Sequence, residues 1–279
     1  MKKYSKVRKN MACFRDDFWI WGHDAGAYNP EKIQKLWRFS GPSSVSPEDG
    51  ARELGIPNCC RVVFDGKPRP PFDGESAKLT SFRQVVWSVI GDTSSLCNNG
   101  GADDLDEVLR QAAKFPNVTG GILDDLFCAE TKSARVTPER MREMAAKLHA
   151  AERPMKLWIV CYPALFGFDC SAHLLAADVI TFWQWTGEDL AHAAENLDRI
   201  IAMTPGKQHY AGCYLYNFGD MCPLSDEEMY SQLELYRRLW REKRIDGVIV
   251  CTNAVMGMGL NSQKIVRDYL VQHGDEVRD

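Results

Sequence analysis

Gly121-Ile122-Leu123-Asp124-Asp125-Leu126-Phe127 carries two adjacent carboxylates where an apolar, strand-like run ends. Seven further apolar runs along the chain also end in polar or aromatic residues, and helical stretches separate most of them. The simplest architecture with this pattern is a closed barrel of eight parallel strands wrapped by helices, in which residues just past the strand C-termini build the active site. Asp124 and Asp125 are therefore the first residues expected to do chemistry.

The other expected strands cover 18–21, 60–64, 84–90, 156–162, 179–185, 210–216 and 247–251, with the fourth at 119–125. Helices are expected at 31–39, 47–54, from 103, at 137–151, 170–177, 188–203, 225–243 and 261–273. Two of these have clear starts. Thr137-Pro138-Glu139 combines a capping side chain with a proline at the first helical position, and Ser225-Asp226-Glu227-Glu228 has the spacing of a capping box. Pro68, Pro70 and Pro71 mark the stretch 66–74 as a loop. Successive strand–helix units connect right-handedly, and eight of them favour closure over an open sheet. The expected fold is thus a (β/α)8 TIM barrel of the α/β class, with residues 1–16 as a leader and 17–279 as the one barrel domain.

The bulk numbers agree with this reading. A barrel of this kind needs about 250 residues, so 279 leave no room for a second domain of similar size. Lys and Arg number 34 against 38 Asp and Glu, so no basic excess points to nucleic acid. The start of the chain is basic but lacks an apolar core, and no run is long enough to span a bilayer. No membrane partner is expected, and the location read from these features is cytoplasmic. Ten cysteines raise the question of disulfides or metal, yet no CxxC spacing occurs, and Cys161, Cys213 and Cys251 fall inside expected strands. Free core thiols in a reducing compartment account for them.

The strand ends contribute His23, Asp24, Asp65, Asp92, Asp124, Asp125, Tyr162, Trp183, Gln184, Trp185, Tyr216, Asn217, Thr252 and Asn253. Carboxylates, carboxamides and aromatic rings are the groups that bind and cleave sugars: rings stack on a pyranose face, amides and acids bond its hydroxyls, and a carboxyl pair moves protons. Side chains alternate along a strand, so one of Asp124 and Asp125 is expected to face the barrel mouth and the other a neighbouring loop. By the same alternation, either Trp183 and Trp185 or Gln184 face the lumen. Trp19 and Trp21 are expected in the core. His23, the one histidine at a strand end, is a candidate base beside Asp24, and its isolation argues against a transition-metal centre. No metal or cofactor is expected. His149, His173, His192, His209 and His273 are read as surface residues, and Asp220 as a turn residue beside Gly219. Gly257-Met258-Gly259 offers backbone N–H groups that a phosphate could use.

Gly120-Gly121-Ile122-Leu123-Asp124-Asp125, the aromatic run Phe182-Trp183-Gln184-Trp185 and Tyr214-Leu215-Tyr216-Asn217 together resemble the TIM-barrel glycoside hydrolase superfamily, without matching one family's signature. The resemblance implies an acid/base residue at the end of strand four, hence Asp124 or Asp125. It departs from the commonest retaining pattern, which places a Glu at the end of strand seven; here that end reads Tyr216-Asn217. The catalytic candidates are Asp124, Asp125, Asp24 and His23. The substrate-binding candidates are Asp65, Asp92, Tyr162, Trp183, Gln184, Trp185, Tyr216, Asn217 and Asn253. The expected partner is a small-molecule or oligosaccharide substrate, and the expected function that of a carbohydrate-active barrel, a glycoside hydrolase in the first instance. The alternatives are a lyase, aldolase or isomerase acting on a phosphorylated sugar, and a barrel that binds carbohydrate without cleaving it.

Overall fold

Eight parallel strands close into the expected barrel. The computed structural model describes residues 12–94 and 103–278; residues 1–11 of the expected leader lie outside this range. The barrel strands are β1 (Phe18–Gly22), β2 (Asn58–Arg61), β3 (Gln84–Ile90), β4 (Val118–Leu123), β7 (Lys156–Cys161), β8 (Val179–Phe182), β9 (Gln208–Tyr214) and β10 (Gly247–Cys251). They run in the order β1-β10-β9-β8-β7-β4-β3-β2 around the ring, each parallel to its neighbours. A hairpin of two-residue strands, β5 (Phe127–Cys128) and β6 (Ser133–Ala134), is inserted after β4.

The helices are α1 (Glu31–Trp37), α2 (Pro47–Leu54), α3 (Asp73–Lys78), α4 (Leu105–Lys114), α5 (Pro138–His149), α6 (Ser171–Ala176), α7 (Gly187–Ala191), α8 (Ala193–Met203), α9 (Asp226–Arg241) and α10 (Asn261–His273). Their ends follow the side-chain chemistry. Thr137 accepts from Arg140 N–H at the start of α5, and Ser225 and Glu228 form the reciprocal capping box of α9. The expected loop 66–74 gives way at Asp73 to α3, which the prolines before it had obscured. The single helix expected at 188–203 is divided at His192 into α7 and α8. Residues 12–17 pack on the barrel: Phe14 is buried with its ring 4.8 Å from both Phe18 and Trp240.

Two tiers of aromatic rings fill the lumen. In the lower tier Trp158 lies 5.0 Å from Trp19 and 4.7 Å from Tyr210. In the upper tier Trp183 lies 5.1 Å from both Trp21 and Tyr214. Gly212 sits between Tyr210 and Tyr214 on the same face of β9, and a Cβ there would come within 2.1 Å of the Trp183 ring. The bare backbone is what admits that indole, and its Nε1–H is satisfied by Thr181 Oγ1 at 2.9 Å.

His209 is a correction. It lies on β9, buried, with its ring bonded to Thr204 Oγ1 at 2.7 Å. Burial holds its pKa below the ordinary histidine value, so it is a neutral core group and not a surface residue.

Gly212→Ala is expected to destabilise the protein by about 1–3 kcal/mol, the usual range for overpacking, and to alter the near-ultraviolet circular dichroism as Trp183 is displaced. Denaturant titration with an unchanged midpoint would contradict the close packing of Gly212 on Trp183.

Candidate active site

A cavity of about 1080 Å³ opens at the C-terminal end of the barrel, with the upper aromatic tier as its floor. Of the residues singled out from sequence, His23, Asp92, Asp124, Asp125, Tyr162, Trp183 and Trp185 line it. Trp21, expected to be wholly core, lines it too.

The two aspartates do not alternate. Gly121 faces outward, where a Cβ would meet Val89 and Leu148, whereas Gly120 faces Trp158 in the lumen. Gly120, Ile122 and Asp124 therefore share the inward face. The strand ends at Leu123, two residues earlier than expected, and Asp125 takes a left-handed backbone with φ 42°. That turn brings Asp125 back to the same cavity, so both carboxyls line it. The expectation that only one would face the mouth fails because alternation stops where the strand does.

Their environments differ. Asp124 is 5% exposed, and its Oδ1 accepts the Asp125 N–H at 2.8 Å. Asp125 is more open. Its Oδ2 accepts Thr93 N–H at 3.1 Å, and its Oδ1 faces the Tyr162 hydroxyl at 3.4 Å. Burial raises the pKa of both, and neighbouring carboxylates add to the effect: Asp125 and Asp92 push Asp124, and Asp92 pushes Asp125. The pair therefore holds a proton above the usual carboxylate range. Asp124, buried more deeply, is the better seat for it, because the donors from Thr93 and Tyr162 favour the charged form of Asp125. Arg135 spans the ends of β3 and β4: its Nη1 donates to Gly91 O at 2.6 Å and Asp124 O at 3.1 Å.

His23 is held from its backbone. Its N–H donates to Asn253 Oδ1 at 2.8 Å, and Asn253 Nδ2 donates back to His23 O at 3.0 Å. Burial, reinforced by the Arg61 charge, lowers its pKa to about 3, so the ring facing the cavity is neutral. Asp24 turns away from the cavity. Its carboxylate pairs with Arg61, whose side chain is 1% exposed and which also holds Glu75 at 2.9 Å and the carbonyls of Gly22 and Val62 at 3.1 Å. A buried guanidinium needs such counter-charges, and this accounts for Asp24 without a catalytic role.

Five of the expected binding residues also lie outside the cavity lining. Asp65 uses its backbone N–H on Asp92 and Ser94. Gln184 points to α8, where Oε1 accepts from Asn196 at 3.1 Å; Trp183 and Trp185 take the cavity instead. The Tyr216 hydroxyl donates to Trp37 O at 2.5 Å. Asn217 and Asp220 brace each other, and Asp220 also accepts Gly187 N–H at 2.8 Å. Asn253 ties His23 O to Val45 O. In place of Tyr216, the ring that faces the cavity from β9 is Tyr214, and Tyr28, Trp37, Phe64, Phe218 and Arg135 complete a wall that sequence reasoning did not find. Gly257 lies outside the cavity lining and spends its N–H on Gln263 Oε1 at 2.8 Å. Among the described residues, no group of three His, Cys, Asp or Glu side chains is placed to hold a metal ion, and no helix is long and apolar enough to cross a membrane.

No protein-family model matches the chain, and no curated protein sequence is similar to it. Among solved structures it is similar to the catalytic domain of a hyperthermophilic chitinase from Pyrococcus furiosus, with TM-score 0.58 and 10% identity over 95% of this chain and 98% of that one. It is also similar to an endo-laminarinase from Formosa Hel1_33_131, with TM-score 0.53 and 10% identity over 95% of this chain and 91% of that one. A third likeness is to a tamarind chitinase-like lectin, with TM-score 0.50 and 8% identity over 90% and 98% of the two chains. At these identities the likeness is one of fold: a TIM barrel resembling several glycoside hydrolase families, with no single family's signature.

Asp24→Asn is expected to cost about 1–3 kcal/mol of stability, as for a hydrogen bond to a charged group. Chemical denaturation reads the loss. Asp124→Asn is expected to act in the opposite direction. The folded protein holds the Asp124 proton more tightly than the unfolded chain does, so this contribution to stability is fully present below about pH 4 and declines as pH rises towards the folded pKa. The Asn variant lacks that decline, and thermal melts should show it gaining on the wild type as pH rises above about 4, with equal curves counting against a buried, protonated Asp124.

Proposed function

We propose that this chain is a carbohydrate-active TIM-barrel enzyme that hydrolyses a glycosidic bond with the aspartate pair at the end of β4. The observation that carries this reading is two carboxyls in unlike environments on one wall of an aromatic cavity. Unequal carboxyls are what acid/base catalysis at a sugar acetal requires: one must arrive protonated and one charged.

In this reading Asp124 donates its proton to the departing glycosidic oxygen. Asp125, held by Thr93 and Tyr162, supplies the negative charge that orients an attacking water and receives its proton as the water oxygen bonds the anomeric carbon. The Tyr214 hydroxyl, 3.5 Å from that of Tyr162, extends the hydrogen-bond chain away from Asp125. Trp185, half-buried on the cavity wall, provides a face for the apolar side of a sugar ring above the Trp183 floor, and neutral His23 serves as a hydroxyl partner. The phosphorylated-sugar alternative loses its basis, because the Gly257 N–H is already bonded and the glycine lies outside the cavity lining.

The test is turnover on a panel of aryl glycosides and oligosaccharides. Asp124→Asn and Asp125→Asn should each lower kcat by about 10²–10⁴-fold, the range for general acid–base catalysis, with saccharide binding retained. The alkaline limb of the wild-type pH profile should follow deprotonation of Asp124 and vanish in Asp124→Asn. Saccharide binding that survives both substitutions, with no turnover by the wild type, would make the protein a lectin.

A further inference from the structure

Two chemistries meet in the cavity. On one side Trp185 and Phe218 lie almost parallel, 16° apart with centroids at 5.9 Å, and Trp37 sets its ring edge-on to both at 79° and 87°. On the other, Asp92, Asp124 and Asp125 close the ends of β3 and β4, with Glu130 further along the hairpin. The aspartate pair follows β4 and Trp185 follows β8, with β7 between them in the strand order; Tyr162, past the end of β7, has its hydroxyl 3.4 Å from Asp125 and its ring 5.9 Å from that of Trp185, so the acid wall and the ring wall adjoin there.

Charge on this lining is one-sided. Arg135 is the single Lys or Arg among its described residues, and its Nη1 is turned to the carbonyls of Gly91 and Asp124. Even with one proton held by the aspartate pair, carboxylates outnumber that cation.

Aromatic faces bordered by carboxylates suit an ammonium group. The ring quadrupole attracts positive charge, the carboxylates add their Coulomb term, and both repel an anion. We infer that the saccharide taken by this cavity is cationic, an amino sugar bearing a free ammonium group, and that uronates and phosphorylated sugars are excluded. The inference rests on the carbohydrate reading and narrows it to a substrate class.

Calorimetric titration of the wild-type protein separates the two claims. Methyl glucosaminide, methyl glucoside and methyl glucuronide share one ring and differ in charge, and tetramethylammonium serves as a cation that is no sugar. At about pH 6 the amine is protonated and the uronate ionised. The glucosaminide should bind about tenfold more tightly than the glucoside, a difference of about 1.4 kcal/mol. High salt should reduce that advantage, and the glucuronide should bind more weakly than either. A glucuronide that matches the glucosaminide, or an amine no better than the neutral sugar, overturns the inference and leaves the carbohydrate reading standing. Binding of tetramethylammonium alone overturns the carbohydrate reading. Silence from all four overturns both.

Discussion

The aromatic plug of the barrel is the constraint on which the site depends. A ring of eight strands encloses a lumen that must be filled by side chains, and here Trp19, Trp158 and Tyr210 fill the lower part and Trp21, Trp183 and Tyr214 the upper. The upper surface of the plug is indole and phenol ring with the Tyr214 hydroxyl as a polar point, so the cavity above it has a floor that solvates charge poorly. Carboxyls placed at that level lose water on one side, and their pKa values rise for this reason before any neighbour acts on them. The same rings that close the fold therefore set the proton affinity of the pair.

Charges in the rest of the barrel are managed in the opposite manner. Arg61 is as buried as Asp124, but it lies outside the strand ring, its guanidinium 5.7 Å from the Trp87 ring, with Asp24, Glu75 and two carbonyls around it. Each partner there is an anion or a carbonyl. At the cavity, acids face acids. The contrast marks the β3–β4 rim as the place where the chain accepts unfavourable electrostatics, a common sign of a working site.

Much of this was legible from sequence because it is periodic or local. The β3, β10 and α10 ranges agree with expectation residue for residue, and Thr137 and Ser225 cap the helices they were expected to start. What escaped was decided by tertiary context. The apolar run through Asp125 gives no hint of a left-handed residue, since an aspartate there is tolerated but not demanded. Tyr214, not Tyr216, faces the cavity because β9 ends level with Cys251 of β10, a register fixed by the neighbouring strand. Arg135 follows a hairpin whose strands are two residues long, too short for any alternation to show. Gly212 was a missed signal. A glycine inside a strand marks the close approach of another group, and it would have settled that Trp183, and not Gln184, turns inward.

The left-handed backbone of Asp125 bears on how such barrels diverge. At φ 42° a side chain with a β-branch is disfavoured on steric grounds alone, and Asp, Asn and Gly are the residues that adopt this geometry most readily. Under the proposed reaction position 125 is filtered twice, once by folding and once by chemistry, whereas Asp124 carries no positive φ and its burial disfavours the folded state once the carboxyl ionises. A descendant that no longer needed the reaction would keep an Asp or Asn at 125 for the turn's sake and be free to replace Asp124. Under the same proposal, the residue at 124 would record whether the chemistry is still under selection, while an Asp or Asn at 125 would be kept for the turn even after the chemistry was lost.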